Sequence, residues 1–225
     1  MDSLNFCASI VMCKTERTFT YNNTPVLTLS ICYPKVSLHH CPYAQDSVNF
    51  QIQAQVCDFL HYASSDLYQQ AIATYQESQE NAFPFRRYEA LLQYEITYNQ
   101  HCHLSLYRDQ YVYTGGAHGG TVRMSDTWDL MSGCSIPLSG FFPADQDYRT
   151  LLIDQITNQA NEKMQQNPGI FFEDYQALIV KYFSEEHYYL TSSGVAIYYQ
   201  QYEIAPYATG IVVFTIPYVE PSCCM

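Results

Sequence analysis

Positive charge is what this sequence has least of: 10 Lys and Arg stand against 22 Asp and Glu, for a net charge of −12 at pH 7. The acidic excess is uneven, because residues 1–114 hold 6 basic and 10 acidic residues (−4) whereas residues 115–225 hold 4 and 12 (−8). Such a surface repels phosphate backbones and anionic lipids and attracts basic proteins. We therefore expect no nucleic acid among the partners of this protein.

Long apolar runs are also missing. No stretch reaches the roughly 20 residues that a transmembrane helix needs, so we expect no membrane insertion. The opening "MDSLNFCASIVMCKTERTF" lacks a basic leader, and its short apolar patch is broken by polar residues, so no secretory signal is expected. Apolar residues still make up 48% of the chain, which excludes general disorder and leaves one domain or two small packed ones.

Paired cysteine motifs are absent, although the chain has nine cysteines. Their odd number and scattered spacing argue against a disulfide framework or a zinc ribbon, and most are expected to be isolated thiols in a reducing environment. The oxidation state of Cys223 and Cys224 stays open. We expect no metal; the alternative is a site begun by His101 and His103, which would share one face of a regular strand.

Hydrophobic periodicity predicts an α+β fold with a largely antiparallel sheet, about three main helices and two closely packed subregions. In residues 87–99, apolar and polar side chains alternate, which is typical of a strand with one buried face. In residues 44–76, apolar side chains recur every three to four residues, which predicts one long helix. The other predicted strands cover 25–37, 103–114, 121–130, 195–204 and 210–218, and the other predicted helices cover 147–164 and a segment after 169.

Glycine is scarce as well, and four of the nine glycines fall in "TGGAHGG", residues 114–120, around His118. A phosphate-binding loop would lead into a helix, but here a strand follows, and no Lys-Ser/Thr pair is present. A catalytic His118 would need an orienting partner and a nucleophile, and no Gly-x-Ser-x-Gly motif occurs. We therefore predict a structural hairpin connection in which His118 bonds across the loop.

Two segments carry a family resemblance. "YRDQYVYTGGAHGGTVRMSDTWDLMSG" (107–133) and "YYQQYEIAPYATGIVVFTIPY" (198–218) together resemble the two characteristic motifs of the bacterial DUF4163/DUF3298 family. The resemblance implies a DUF4163-like strand–helix–hairpin region over 25–132 and a DUF3298-like helix–helix–hairpin region over 133–220. Residues 1–24 are expected to form an irregular N-terminal segment.

The resemblance implies binding rather than catalysis. Members of the family include the extracellular sensor of the lysozyme-responsive anti-sigma factor RsiV and modules beside peptidoglycan deacetylase domains. It implies a non-enzymatic domain without a cofactor, at the cell envelope, that binds a basic protein such as lysozyme, or peptidoglycan. The alternative is a metal-dependent or His-based hydrolase. The candidate binding residues lie in two connections: Tyr113, Gly115, Gly116 and His118 in the first, and Pro206 and Tyr207 in the second.

Overall fold

A computed structural model of the chain describes residues 6–218, whose strands form two sheets. The first sheet has the order β1-β2-β3-β4-β5, and the second has the order β6-β7-β8. The strands are β1 (Ser9–Tyr21), β2 (Thr24–Ser37), β3 (Tyr88–Gln100), β4 (His103–Tyr113), β5 (Gly120–Asp129), β6 (Tyr188–Thr191), β7 (Gly194–Tyr199) and β8 (Val212–Pro217).

The helices flank these sheets and confirm the predicted α+β class. The long predicted helix is one helical rod made of α1 (Pro42–Tyr62), a π turn (Ala63–Leu67) and α2 (Tyr68–Glu80). The π turn lies where two serine hydroxyls, of Ser64 and Ser65, donate to the carbonyl of His61, a bond that competes with the regular helical pattern. In the second subregion, α3 spans Tyr148–Gln166 and α4 spans Tyr175–Tyr182.

The first sheet is mixed. Its neighbours are antiparallel except β2 and β3, which run parallel because the α1–α2 rod carries the chain back across the sheet between them. The rod covers one face, where Leu27, Leu92 and Trp128 are fully buried. Within residues 6–218, no helix is both long and apolar enough to cross a membrane.

The prediction of an irregular segment over 1–24 is wrong for most of its length. Strand β1 pairs antiparallel with β2 along its whole length and turns at Asn22 and Asn23, whose positive φ angles of 48° and 63° fit a tight hairpin. β1 is an edge strand with Val11 65% exposed, so it lacks the alternation that marks a strand with one buried face. The two adjacent asparagines are the sequence signal from which this hairpin could have been predicted.

The second subregion differs from prediction in three details. The four-residue strand β6 was not predicted, since all but its last residue are buried and it shows no alternation. β7 ends at Tyr199 rather than 204, and the second helix begins at Tyr175, with Phe171 in the loop before it. The two predicted strands at the end of the chain are confirmed as an antiparallel pair, β7 and β8.

The two subregions pack closely, as predicted. β6 lies over the face of the first sheet that the helices leave open, and the rings of Tyr107 and Tyr189 meet there at 5.2 Å. The Ser105 hydroxyl accepts from the backbone N–H of Leu190 at 2.9 Å, which satisfies a fully buried polar side chain across the boundary. At this boundary, β5, the edge strand of the first sheet, lies beside residues of the second subregion.

Candidate functional site

The two connections singled out by sequence lie against each other. The ring of His118 stacks on that of Tyr207, with centroids 3.8 Å apart and planes at 19°. The Tyr207 hydroxyl donates to the carbonyl of Gly119 at 3.0 Å. We call residues 114–119 together with residues 202–210 the loop junction, because it joins the β4–β5 hairpin to the turn between β7 and β8.

The glycines of the loop junction set the backbone path. Gly115 has φ +87°, and a Cβ at Gly119 would lie 2.4 Å from the ring of Tyr111. The carbonyl of Gly116 accepts from the Arg86 guanidinium at 3.1 Å and from the Tyr113 hydroxyl at 3.0 Å. These contacts support the predicted structural connection, while the binding role of its residues stays a prediction.

The three histidines considered as site residues, His101, His103 and His118, lie in different elements of the fold. The Nδ1 of His118 lies 3.3 Å from the carbonyl of Gly119 in its own loop. The expected shared strand face of His101 and His103 is wrong: His101 lies in the β3–β4 turn with φ 51°, whereas His103 begins β4 and packs on Phe141. Nowhere in residues 6–218 do three or more His, Cys, Asp or Glu side chains group as metal ligands would. Cys223 and Cys224 lie outside the described residues.

Beside the loop junction runs the outer edge of β5, which two glutamine side chains cover. The Gln201 carboxamide accepts from the N–H of Thr121 at 2.8 Å. The Gln200 carboxamide accepts from the N–H of Arg123 at 2.9 Å and donates to its carbonyl at 2.6 Å. The two glutamines thus take the place of a neighbouring strand and protect part of an exposed sheet edge.

The other end of the same edge is covered by the backbone. The N–H of Ile136 donates to the carbonyl of Thr127 at 2.8 Å, and the N–H of Asp129 donates to the carbonyl of Cys134 at 3.0 Å. The β5 residues whose backbone groups face this outer edge, Thr121, Arg123, Thr127 and Asp129, are all odd-numbered. Because backbone groups alternate in direction along a strand, the N–H and C=O of Ser125 face the same edge. No group within residues 6–218 hydrogen-bonds to them. We call this position the β5 gap.

A cavity of about 700 Å³ opens at the β5 gap, between the two subregions. Its floor holds an ion pair between Arg108 and Asp126, and Gln55 donates to the same carboxylate at 3.2 Å. In the described part of the chain, Arg108 Nε and His187 Nδ1 are buried without a hydrogen-bond partner. The lining, which we call the β5 cavity, comprises Arg108, Met124, Ser125, Asp126, Thr127, Ser135, Ile136, Pro137, Leu138, Glu185, Glu186, His187, Tyr188 and Tyr198.

The titrating groups of the β5 cavity suit hydrogen bonding. Burial raises the pKa of Tyr188 and of Tyr198 to about 12, so both hydroxyls are neutral near pH 7. Burial lowers the pKa of His187, which keeps its imidazole neutral there as well. The Ser125 hydroxyl donates to the backbone carbonyl of Tyr188. With the exposed carboxylates of Glu185 and Glu186 at the rim, the cavity combines a largely apolar lining with a few polar groups and an acidic entrance.

No sequence pattern predicts this cavity. The residues "YYQQY" (198–202) belong to one of the two family motifs, but no role was expected for Gln200 or Gln201. Two adjacent glutamines at the end of a strand were the available signal. The groups of the β5 gap belong to the backbone of Ser125, so no residue type in the sequence predicts them.

Comparisons with known proteins match the two subregions separately. The family model "Deacetylase PdaC" matches residues 20–121, and the model of DUF3298, a protein family of unknown function, matches residues 139–219. No curated protein matches the chain. These matches confirm the DUF3298 part of the predicted resemblance, whereas the closer resemblance to RsiV-type sensors stays a prediction.

Two crystal structures share the fold. A DUF3298 family member from Bacteroides fragilis NCTC 9343 is similar with a TM-score of 0.70 and 21% identity, over 95% of this chain and 92% of that one. A DUF3298 family protein from Pseudomonas aeruginosa PAO1 is similar with a TM-score of 0.59 and 17% identity, over 94% and 90%. The arrangement of both subregions in this chain therefore recurs in proteins of that family.

Proposed function

We propose that this protein is a non-enzymatic binding module for a basic protein of the lysozyme kind, similar in role to RsiV-type sensors. The observation that carries the proposal is the β5 cavity, a recess with an acidic rim at the boundary of two subregions, where Arg108 Nε and His187 Nδ1 are buried without partners in residues 6–218. Boundaries between packed units are frequent positions for binding sites. The excess of acidic residues, −8 over residues 115–225, favours encounter with a positively charged ligand.

The contacts of the loop junction also favour binding over catalysis. His118 stacks on Tyr207 and lies beside a backbone carbonyl, and no carboxylate within residues 6–218 hydrogen-bonds to it as the orienting partner of a general base would. Tyr202, 55% exposed, stands 5.8 Å from the Tyr207 ring and offers an aromatic contact at the surface. The family resemblance supports a place at the cell envelope.

The test is binding of lysozyme to the immobilised protein at about 50 and about 300 mM NaCl. We expect micromolar affinity that falls steeply with salt, since charged surfaces drive the association. Succinylated lysozyme, which keeps its size but loses its positive charge, is the matched control and should not bind. Absent binding, or binding indifferent to salt, contradicts the proposal. Co-sedimentation with purified peptidoglycan without lysozyme binding would instead favour the cell-wall ligand.

A further inference from the structure

We propose that the β5 gap binds a single residue of an extended peptide that carries a basic side chain. This inference deepens the proposed function, on which it rests, by naming the part of a basic ligand that the β5 cavity receives. The occupant is a peptide segment of a partner protein, paired with the backbone of Ser125 and placed between the glutamine-covered and backbone-covered stretches of the β5 edge.

The hydrogen-bonding groups of the gap define the size of the ligand. In an antiparallel sheet, two residues facing each other as a hydrogen-bonded pair exchange both N–H···O=C bonds. The gap exposes the N–H and the C=O of Ser125, and one ligand residue with its own N–H and C=O pairs with both. Main-chain pairing to an open sheet edge is an established way to bind extended peptides.

The neighbouring position on β5 already shows the pairing. At Arg123, two residues before Ser125 on β5, the Gln200 carboxamide accepts from the backbone N–H and donates to the backbone carbonyl. A ligand amide at Ser125 would repeat this two-bond exchange at the next outward-facing position. The ligand residue would then lie between the Gln200 carboxamide at Arg123 and the backbone N–H of Ile136 at Thr127.

The cavity around the gap has unused donors and room for a side chain. Arg108 Nε is buried without a partner and can donate to a ligand carbonyl, while His187 Nδ1 offers a second polar contact. A volume of about 700 Å³ exceeds what one amino-acid residue fills. A ligand amide therefore satisfies groups whose burial without partners costs the free protein stability.

Charge selects the side chain. The carboxylates of Asp126, Glu185 and Glu186 line the cavity, against one guanidinium, that of Arg108. Arg108 is already paired with Asp126, which leaves the two glutamates at the rim without a cation among the cavity's lining groups. A lysine or arginine side chain fits this balance, and an acidic one is repelled.

The test is an NMR titration of the ¹⁵N-labelled chain with N-acetyl-lysine N-methylamide, a single residue with an amide on each side. We expect the amide signal of Ser125 to shift on binding, with millimolar affinity. The norleucine analogue, which lacks the charge, should bind several-fold more weakly, and the glutamate analogue more weakly still. Free lysine, which has the charge but no flanking amides, should leave Ser125 unshifted.

Two variants separate the backbone from the side chain. Ser125→Pro removes the outward N–H without removing a bond to β4, because proline is tolerated where a strand's N–H faces away from the ladder. It should weaken the probe about tenfold, whereas Ser125→Ala, which loses only the hydroxyl, should change affinity less than about twofold. Glu185→Gln combined with Glu186→Gln should weaken the lysine probe and leave the norleucine analogue unchanged. These glutamates are exposed, so this variant folds even if Ser125→Pro does not.

The outcomes separate this inference from the proposed function. Equal binding of the three analogues, or no shift at Ser125, overturns the inference. Lysozyme binding that survives Ser125→Pro would leave the proposed function standing and place the contact elsewhere. Binding of the lysine probe without any binding of lysozyme would support the gap as a peptide site and contradict the proposed ligand.

Discussion

The loop junction and the β5 gap lie along one edge of the same strand but use their polar groups in opposite ways. At the loop junction, the carbonyls of Gly116 and Gly119 and the hydroxyls of Tyr113 and Tyr207 all have partners within the protein. At the β5 gap, the backbone of Ser125 and the buried Nε of Arg108 have none in residues 6–218. The groups left for a ligand are therefore those of the gap.

This difference teaches that a conspicuous motif need not be a binding site. The glycines and the histidine of "TGGAHGG" stand out in the sequence because the hairpin needs an unusual backbone path and close contact with Tyr207. The gap arises from what the neighbouring segments leave uncovered. If this interpretation is right, substitutions at the loop junction change stability, whereas changes at the gap change binding.

The largest effect should come from Gly119→Ala. The added Cβ would lie 2.4 Å from the ring of Tyr111, a contact that forces either the ring or the loop to move. We expect a loss of about 2 kcal/mol in the free energy of unfolding, measured by urea denaturation. Gly120→Ala is the matched control, because nothing lies within 4 Å of its Cβ, and it should stay within about 0.5 kcal/mol of the parent. Equal effects of the two would refute the structural role of the loop.

A smaller effect on stability is expected from Gln200→Ala, which uncovers the N–H of Arg123 and leaves its C=O with only the Tyr198 hydroxyl, at 3.4 Å, within residues 6–218. The loss of two hydrogen bonds to the backbone should cost about 1–2 kcal/mol in urea denaturation. The free energy of opening that amide hydrogen exchange measures at Arg123 should fall by a similar amount. Exchange at Trp128, whose N–H faces β4, should keep its rate. Gln201→Ala, which removes one bond, should show about half the effect. An unchanged exchange rate at Arg123 would show that the glutamine cover contributes nothing.

Some of the elements in this comparison could be predicted from the sequence, and others could not. Strands β3 and β4, the hairpin at residues 114–119 and the β7–β8 pair follow from alternation and from turn residues, which are local signals. Strand β1 was missed because its burial is partial and irregular: Ile10, Phe19 and Tyr21 pack against the core, whereas Val11 is exposed, so the apolar residues do not alternate along one face. The β5 gap could not be predicted, since it depends on Gln200 reaching the strand from 77 residues away and on the segment at Ile136 folding back on Thr127, with Ser125 left between them.

The smallest effect concerns pH. Burial lowers the pKa of His187 below 6.5, although the nearby carboxylates of Glu203 and Glu186 oppose the shift. The unfolded chain therefore takes up a proton first, so the stabilising contribution is present above about pH 6.5 and is lost as the pH falls through the lowered pKa of the folded state. His187→Phe keeps a ring against Tyr198, on which the imidazole stacks at 4.8 Å, but cannot titrate. Between about pH 7.5 and pH 5, the free energy of unfolding should fall more in the parent than in His187→Phe. Parallel curves for the two proteins would mean that His187 is not desolvated at the wall of the β5 cavity.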